Sequence, residues 1–457
     1  VTATDPSDAG HRTTTLDSGL RVVSERVPGV RSVALGFFVP TGSAAERDSE
    51  AGISHLLEHM LFRGTARYGS QEIDEIFDAL GAEVNAGTDK EATSLYTRVL
   101  DCHLERAFDV MADMVFRPRF GELEAEREVV LEEIAMYEDD PQDRVFDVLS
   151  RAVFGPHPLG RPVIGRAEVI AATTREQLAA FHRARYRPER IVLAAAGSID
   201  HDALVQLACE AEALREAIHV AAGSAAAPSA EAAVQAEEPE LRRRVSFLEK
   251  DTEQYHVCVG GPGIAHDDER RFALRVLENV LGGSSSSRLF QEVRERRGLA
   301  YAVYCFSSLY SHTGELGVYL GTRPDKLAPA MEVLAAELRR VVEDPATPEE
   351  LDRARENLKG RAALALESTG ARMSRDGSAI MFGLPILSLD EVVARIDAVG
   401  VEQLRELAAE LLAPDSLSVA GIGPDEQVFA TAIEPLGATA PQAAAELGAA
   451  SAREAAP

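Results

Sequence analysis

The run His55-Leu56-Leu57-Glu58-His59 sets two imidazoles one helical turn apart with a carboxylate between them. With 11 histidines in 457 residues, composition alone would give an HxxEH pattern roughly 0.03 times in such a chain, so the spacing is informative. At about 100° per residue, His55, Glu58 and His59 share one arc of the helix, while Ile53, Leu56, Leu57, Met60 and Leu61 centre on the opposite face. A histidine on the apolar stripe would read as a satisfied core residue; these two lie off it. Two imidazoles at this spacing can both reach a zinc ion at about 2.0 to 2.1 Å, and a catalytic zinc takes a third protein ligand and leaves one position for water. Glu58, on the same face, is placed as a general base for a water attacking a carbonyl carbon. The implied chemistry is hydrolysis of a peptide or amide bond, with hydrolysis of another acyl or an imine bond at the same metal as the runner-up.

The third ligand must come from elsewhere, and the segment GELEAEREVVLEEIAMYE offers it. Leu123, Val130, Ile134 and Tyr137 mark its apolar stripe; Glu126 and Glu133 lie on that stripe, while Glu124, Glu128 and Glu132 point away. A carboxylate on an inward face is costly unless it is paired or binds a metal. Glu133 is therefore assigned as the third ligand and Glu126, two turns back, as a supporting acidic group. Without the histidines, both would read as tolerated acids at a helix edge.

The elements that position these residues are legible in outline. LRVVSERV and SVALGFFV read as strands flanking a Pro28-Gly29 turn, and Gly52 to Arg63 as a helix closed by Gly64. Helices follow near 70–80, 103–116, 121–138, 142–153 and 174–185, with strands near 82–87, 92–99 and 190–197. Mixed elements with several strands adjacent in sequence predict an α+β fold, a mixed or antiparallel sheet with helices on one face. Residues 215–243, alanine-rich and without aromatic residues, read as a flexible linker, and the last thirty or so residues as a frayed tail. Between them a second unit opens with VSFLEK and YHVCVGG and continues into a helix from Glu269 to Leu281. The expected organisation is a zinc-binding domain over 1–214, a linker over 215–243, a homologous domain without metal over 244–426, and a tail over 427–457. The halves read as distant copies: Tyr96, Leu104, Ala107 and Val110 align with Tyr319, Leu327, Ala330 and Val333, and Arg275 and Asn279 stand where His55 and His59 would be.

Charge narrows the partners. Lys and Arg total 47 against 75 Asp and Glu, a formal net of -28. That excess argues against a sequence-independent nucleic-acid or anionic-membrane binder, which needs clustered cations; it fits solubility and leaves a cationic partner open. Cys102, Cys209, Cys258 and Cys305 form no CxxC pair and read as buried thiols of a reducing compartment. No apolar run approaches the roughly 20 residues of a membrane span, and VTATDPSDAGHR has no signal-peptide pattern, so the default location is cytoplasmic.

HLLEH followed by the downstream Glu133 resembles the inverted zinc motif of the inverzincins, specifically the M16 family of insulysin and pitrilysin, and most closely the branch of the mitochondrial processing peptidase β subunit and its single-chain bacterial relatives. The resemblance runs from about residue 15 to 426 through GISHLLEHMLFRGT, LGAEVNAGTDKEATSLYTRVL, EREVVLEEIAMYEDDPQDRVFD and HPLGRPVIG. It implies one zinc ion per chain held by His55, His59 and Glu133, with Glu58 as catalytic base and Glu126 in support. It further implies that Asn85 and Ala86 sit on an edge strand that holds an extended peptide by β-augmentation, and that Arg294 and Tyr301, in RLFQEVRERRGLAYAVY, reach the substrate. Read without the family, RERRGLAY is a basic helix end closed by Gly298. The implied architecture is a pair of duplicated α/β-roll domains of the LuxS/MPP-like metallohydrolase fold. Two chains of this branch close around a chamber that admits unfolded peptides. Because this chain carries both the zinc motif and the Arg294-Tyr301 pair, a homodimer is expected. LGGSSSSRLF is too short to match the glycine-rich loop of the noncatalytic subunit, so the resemblance to that subunit is weaker. The intact HxxEH with two inward glutamates downstream discriminates against the alternative of a noncatalytic peptide-binding or core subunit of a processing-peptidase-like complex.

Overall fold

The computed structural model describes residues 2–3, 10–211, 239, 241–413, 416–438 and 442–443, so most of the expected linker and the end of the expected tail lie outside the described residues. The chain divides into two compact units, one of residues 1–134, 162–235 and 363–388, the other of 135–161, 236–362 and 389–457.

In the first half of the chain the strands are β1 (Thr2–Ala3), β2 (His11–Thr15), β3 (Arg21–Arg26), β4 (Ser32–Val39), β5 (Val84–Thr88), β6 (Thr93–Leu100) and β7 (Val192–Gly197). The helices are α1 (Ile53–Leu61), α2 (Ser70–Ala79), α3 (Leu104–Phe116), α4 (Leu123–Asp139), α5 (Pro141–Phe154), α6 (Ala167–Ala172), α7 (Arg175–Arg185) and α8 (His201–Glu210). The strands form one sheet in the order β1-β2-β3-β7-β4-β6-β5, with β3 and β7 parallel and the other neighbours antiparallel. Alternation along β4 sends Val33, Leu35, Phe37 and Val39 into the core shared with α1, α3 and α7. Ala34 and Phe38 point to the other face.

The second half repeats the plan with β8 (Val245–Glu249), β9 (Tyr255–Gly263), β10 (Ala302–Leu309), β11 (Gly314–Thr322), β12 (Ser418–Gly423) and β13 (Gln442–Ala443). Its helices are α9 (Arg271–Leu281), α10 (Leu327–Glu343), α11 (Pro348–Ala365), α12 (Thr369–Phe382), α13 (Leu389–Asp397), α14 (Val401–Leu411) and α15 (Glu426–Ala432). The sheet order is β10-β11-β9-β12-β8-β13. Strip the outer strands and both sheets have the same five-strand core: β3-β7-β4-β6-β5 and β8-β12-β9-β11-β10, in each of which the strands that come first and last in the chain pair in parallel. Identical order and direction in both halves is the signature of duplication.

Three features depart from the sequence reading. First, helices cover both faces of each sheet, and the extra helix comes from the other half of the chain. Helix α12, from the second half, lies in the first unit, where Met373 and Met381 pack with Val23, Ala34, Phe38 and Val192. Helix α5, from the first half, lies in the second unit, where the Phe146 ring meets those of Phe306 at 4.9 Å and Tyr319 at 5.7 Å. An apolar stripe fixes that a helix is buried but not which sheet buries it. Second, ordered structure continues past residue 426, because Phe429 and Ile433 are fully buried in the second core. The alanine-rich surroundings hid those two anchors. Third, Cys102 and Cys209 are exposed rather than buried; only Cys258 and Cys305 lie in the interior.

Candidate metal centre and active site

Helix α1 is short, and its N-terminal end is held from outside. The buried carboxylate of Glu46 accepts from the backbone N–H of Gly52 and of Ser54, both at 2.8 Å, supplying the acceptors that a helix N-terminus lacks. Gly52 itself has φ +98°, and a β-carbon there would come within 2.8 Å of the Ile164 carbonyl oxygen, so only glycine makes this entry without strain. Ile53, Leu56, Leu57, Met60 and Leu61 are each at most 1 % exposed. Burial of such side chains, roughly 1.5 to 3 kcal/mol each, locks the rotation of the helix about its axis. His55, Glu58 and His59 are thereby turned together away from that core.

Helix α4 presents the opposing carboxylates. Leu123, Val130 and Ile134 are buried, Glu126 is 3 % exposed, and Glu124, Glu128 and Glu132 face outward, as the stripe predicts. The His59 Nδ1 atom lies 2.8 Å from Glu126 Oε1. The His59 Nε2 atom is 3.4 Å from Glu133 Oε2, and the His55 Nε2 atom 3.7 Å from Glu133 Oε1. One donor atom from each of His55, His59 and Glu133 falls within 4.8 Å of the others. Donors that share a tetrahedral zinc at about 2.0 to 2.2 Å stand about 3.4 Å apart, so this donor set and spacing fit that ion.

The electrostatics separate the groups. Burial and the neighbouring His59 push the His55 pKa down to about 4, leaving a neutral ring suited to ligation. Burial also opposes charge on His59, but the hydrogen bond to Glu126 and the nearby carboxylates of Glu133, Glu126 and Glu58 outweigh it and raise its pKa. Glu58 is raised above the usual carboxylate range, chiefly by burial, against the opposing hydrogen bond from Thr88. For Glu126 the balance is reversed: burial would raise it, yet hydrogen bonds from His59 and Arg63 bring it below its ordinary value.

Three participants escaped the sequence reading. Thr88 Oγ1 donates to Glu58 Oε2 at 2.5 Å, and Arg63 Nε donates to Glu126 Oε2; Glu46 caps α1. Two of them had a signal. Arg63 is one turn beyond His59 and so shares its helix face, and Thr88 is two residues beyond Ala86 and so shares its strand face. Glu46 had none, since its partners are backbone groups.

The remaining predicted residues are placed as follows. Asn85 and Ala86 lie on β5, the edge strand of the first sheet, paired only with β6 among the described residues. Asn85 is exposed, and its Oδ1 accepts from the Ala86 N–H. Arg294 and Tyr301 belong to the second unit and touch each other. Arg294 sits in a short π-helix, Phe290–Glu295, with its guanidinium 4.4 Å from the Tyr301 ring centroid and bonded to the Tyr301 carbonyl at 3.0 Å. The Tyr301 side chain is 79 % exposed. It borders a cavity of about 420 Å³ that Gln142, Glu253, His256 and Tyr319 also line. The basic helix end does close at Gly298, which has φ +56°. No helix of the described residues is long and apolar enough to cross a membrane.

Comparison with known proteins agrees with this geometry. Residues 21–167 match the family model of insulinase, peptidase family M16, and residues 172–358 match the M16 peptidase inactive domain. A zinc protease of Streptomyces coelicolor is 42% identical over 91% of this chain and 90% of its own length. The zinc protease YmxG of Bacillus subtilis is 41% identical over 88% of this chain and 95% of its own length. Among solved structures, a protease from Helicobacter pylori superposes with a TM-score of 0.81 at 21% identity, covering 91% of this chain and all (100%) of that one. An M16 inactive-domain structure from Pseudomonas fluorescens gives 0.80 at 24%, covering 91% and 98%. The fold and the site define a two-unit α+β metallohydrolase. The chain belongs to the M16 peptidase family.

Proposed function

We propose that this zinc protease of the M16 family is an endopeptidase or oligopeptidase acting on extended, unfolded peptides, with one zinc ion per chain held by His55, His59 and Glu133. The observation that carries the reading is the convergence of those three donor atoms within 4.8 Å on one side of an otherwise buried helix. Zinc, when bound there, supplies Lewis acidity that acidifies a water and polarises the scissile carbonyl. Glu58 takes the proton from the attacking water and returns it to the departing amine. Burial raises its pKa above the usual carboxylate range, which makes it a stronger base toward that water. Thr88 holds the Glu58 carboxylate through its hydroxyl. Glu126 fixes the ring of His59.

The peptide adds to the free edge of β5 beside Asn85 and Ala86, where backbone hydrogen bonds give affinity without sequence preference. Arg294 and Tyr301 supply contacts to the bound peptide, and two copies of the chain form a homodimeric chamber. The net charge of -28 favours Lys- and Arg-containing peptides within it. Neither nucleic acid nor membrane is a partner in this reading, and its location is the cytoplasm.

Elemental analysis together with cleavage of an unstructured peptide, with and without a chelator, tests the central assignment. Stoichiometric zinc and chelator-sensitive cleavage are expected; a metal-free protein that cleaves regardless of chelator overturns it. Mixing inactive His55→Ala and Arg294→Ala chains tests the dimer, since recovered activity requires a site completed between chains. Basic peptides should be preferred at low salt, with the preference fading as ionic strength rises.

A further inference from the structure

The geometry points to Arg63 as a positioning residue of the metal centre: its guanidinium holds Glu126 in the orientation from which that carboxylate fixes the ring of His59. This step rests on the zinc-site reading above. The two histidines are not supported alike. His55 Nδ1 is buried and has no hydrogen-bond partner among the described residues, so its ring is oriented by packing alone. His59 Nδ1 meets Glu126 Oε1 at 2.8 Å, which makes Nδ1 the donor and leaves the lone pair of Nε2 directed toward Glu133. That tautomer is the ligating one, and it persists only while Glu126 stays in place.

Glu126 is not held by its own helix. It is 3 % exposed, and its second oxygen accepts from Arg63 Nε. The carboxylate is therefore bridged between two side chains that stand one turn apart on the same face of α1 and the residues just beyond it. It cannot rotate toward one without losing the other, and a rigid, permanently charged guanidinium is well suited to that clamp. Among the described residues Arg63 is bonded to Glu126 and not to His55, His59 or Glu133; it acts through Glu126.

The test is zinc affinity measured on the full chain by competition with a chromophoric chelator, a readout independent of turnover. Arg63→Met should bind zinc about ten-fold more weakly, at the lower end of what loss of an outer-sphere partner costs. Arg63→Lys, which keeps the charge but not the fork, should lose only part of this. Glu126→Gln should be weaker than wild type, and adding Arg63→Met to it should weaken binding little further, because the path has already been cut. Wild-type affinity in a folded Arg63→Met chain overturns the inference, as does a full additive loss in the double variant. Absence of zinc affinity in the wild type would instead overturn the metal-site reading beneath it.

Discussion

Helices α1 and α9 hold equivalent places, each between the second and third strands of its five-strand core, and each offers a glutamate to a hydroxyl on the edge strand. In the first unit Thr88 on β5 donates to Glu58; in the second Ser307 on β10 donates to Glu278 at 3.0 Å. Beyond this shared bond the units diverge. Where α1 sends His59 to Glu126 and Glu133 on α4, α9 sends Asn279 to Asn357 on α11, amide to amide at 2.9 Å. In place of His55 stands Arg275, turned back onto Glu278 at 3.2 Å. A neutral amide pair closes the space that two imidazoles and two carboxylates keep polar and open to a cation. The glutamate-to-strand bond is thus common to both copies, while the candidate metal centre of His55, His59 and Glu133 has no counterpart in the second copy among the described residues.

The harshest way to break this contrast is to make the first unit resemble the second. His59→Asn should abolish zinc binding, measured by elemental analysis, and reduce peptide cleavage to background, whereas Asn279→His should create no second zinc site, because Asn357 offers no carboxylate. A second equivalent of tightly bound zinc in Asn279→His would show that the units differ less than their contacts imply.

The equivalent glutamates allow a cleaner separation. Glu58→Gln should keep zinc and lose about 10² to 10⁴ in kcat, the usual worth of a general base. Glu278→Gln, making the same change to the same strand bond, should leave kcat within about two-fold. Similar losses in both would assign the effect to architecture rather than to proton transfer.

Much of this contrast was legible in the sequence, and the reason is geometric. The HxxEH spacing and the acidic stripe of α4 are local patterns, so a wheel drawn from Ile53 to Arg63 already turns His55, Glu58 and His59 away from the core. Reading the halves as copies put Arg275 and Asn279 where His55 and His59 stand, and α9, which carries both, follows the second strand of its five-strand core as α1 does. What stayed hidden had other causes. Glu46 is only six and eight residues from its partners but meets backbone groups that carry no residue signature, while Arg63 reaching Glu126 and the exchange of α5 and α12 between units depend on pairings distant in sequence. Each of those helices shows a buried stripe, but a stripe carries no address for the sheet that will cover it.

The strand hydroxyls give a smaller effect. Thr88→Val removes one donor to Glu58 while preserving shape, and should lower kcat about ten-fold, the worth of one hydrogen bond to a charged group, with KM little changed. Thr88→Ser should restore it. Ser307→Ala should leave turnover unaffected, since Glu278 has no reaction to serve. A Thr88→Val chain with wild-type kcat would mean that packing alone positions Glu58.

The exchanged helices extend the comparison to stability. Helix α5 meets the second sheet through aromatic rings and a buried hydrogen bond from Ser150 to Glu315 at 2.8 Å. Helix α12 adds charge to its apolar contact with the first: Arg372 and Arg375 pair with Glu25, and Arg375 also with Asp376. Asp376 is fully buried, and its Oδ2 has no hydrogen-bond partner among the described residues. Burial first, then the nearby Glu25, raise its pKa to about 6 against the pull of Arg375 and the weaker one of His11. The sign of the pH dependence follows. Between about pH 4 and pH 6 the folded chain keeps a proton that the unfolded chain has released, so this group's contribution to stability falls as pH rises through that window. Above it, a buried carboxylate carries an uncompensated desolvation cost. Asp376→Asn retains an acceptor for Arg375 and does not titrate. Its melting temperature should match wild type near pH 4 and exceed it by about 2 to 4 °C at pH 8, the scale of about 1 kcal/mol when a unit of about 150 to 250 residues melts by itself. A constant difference across that range would show that Asp376 stays ionised throughout and that the arginines have already neutralised the cost of its burial.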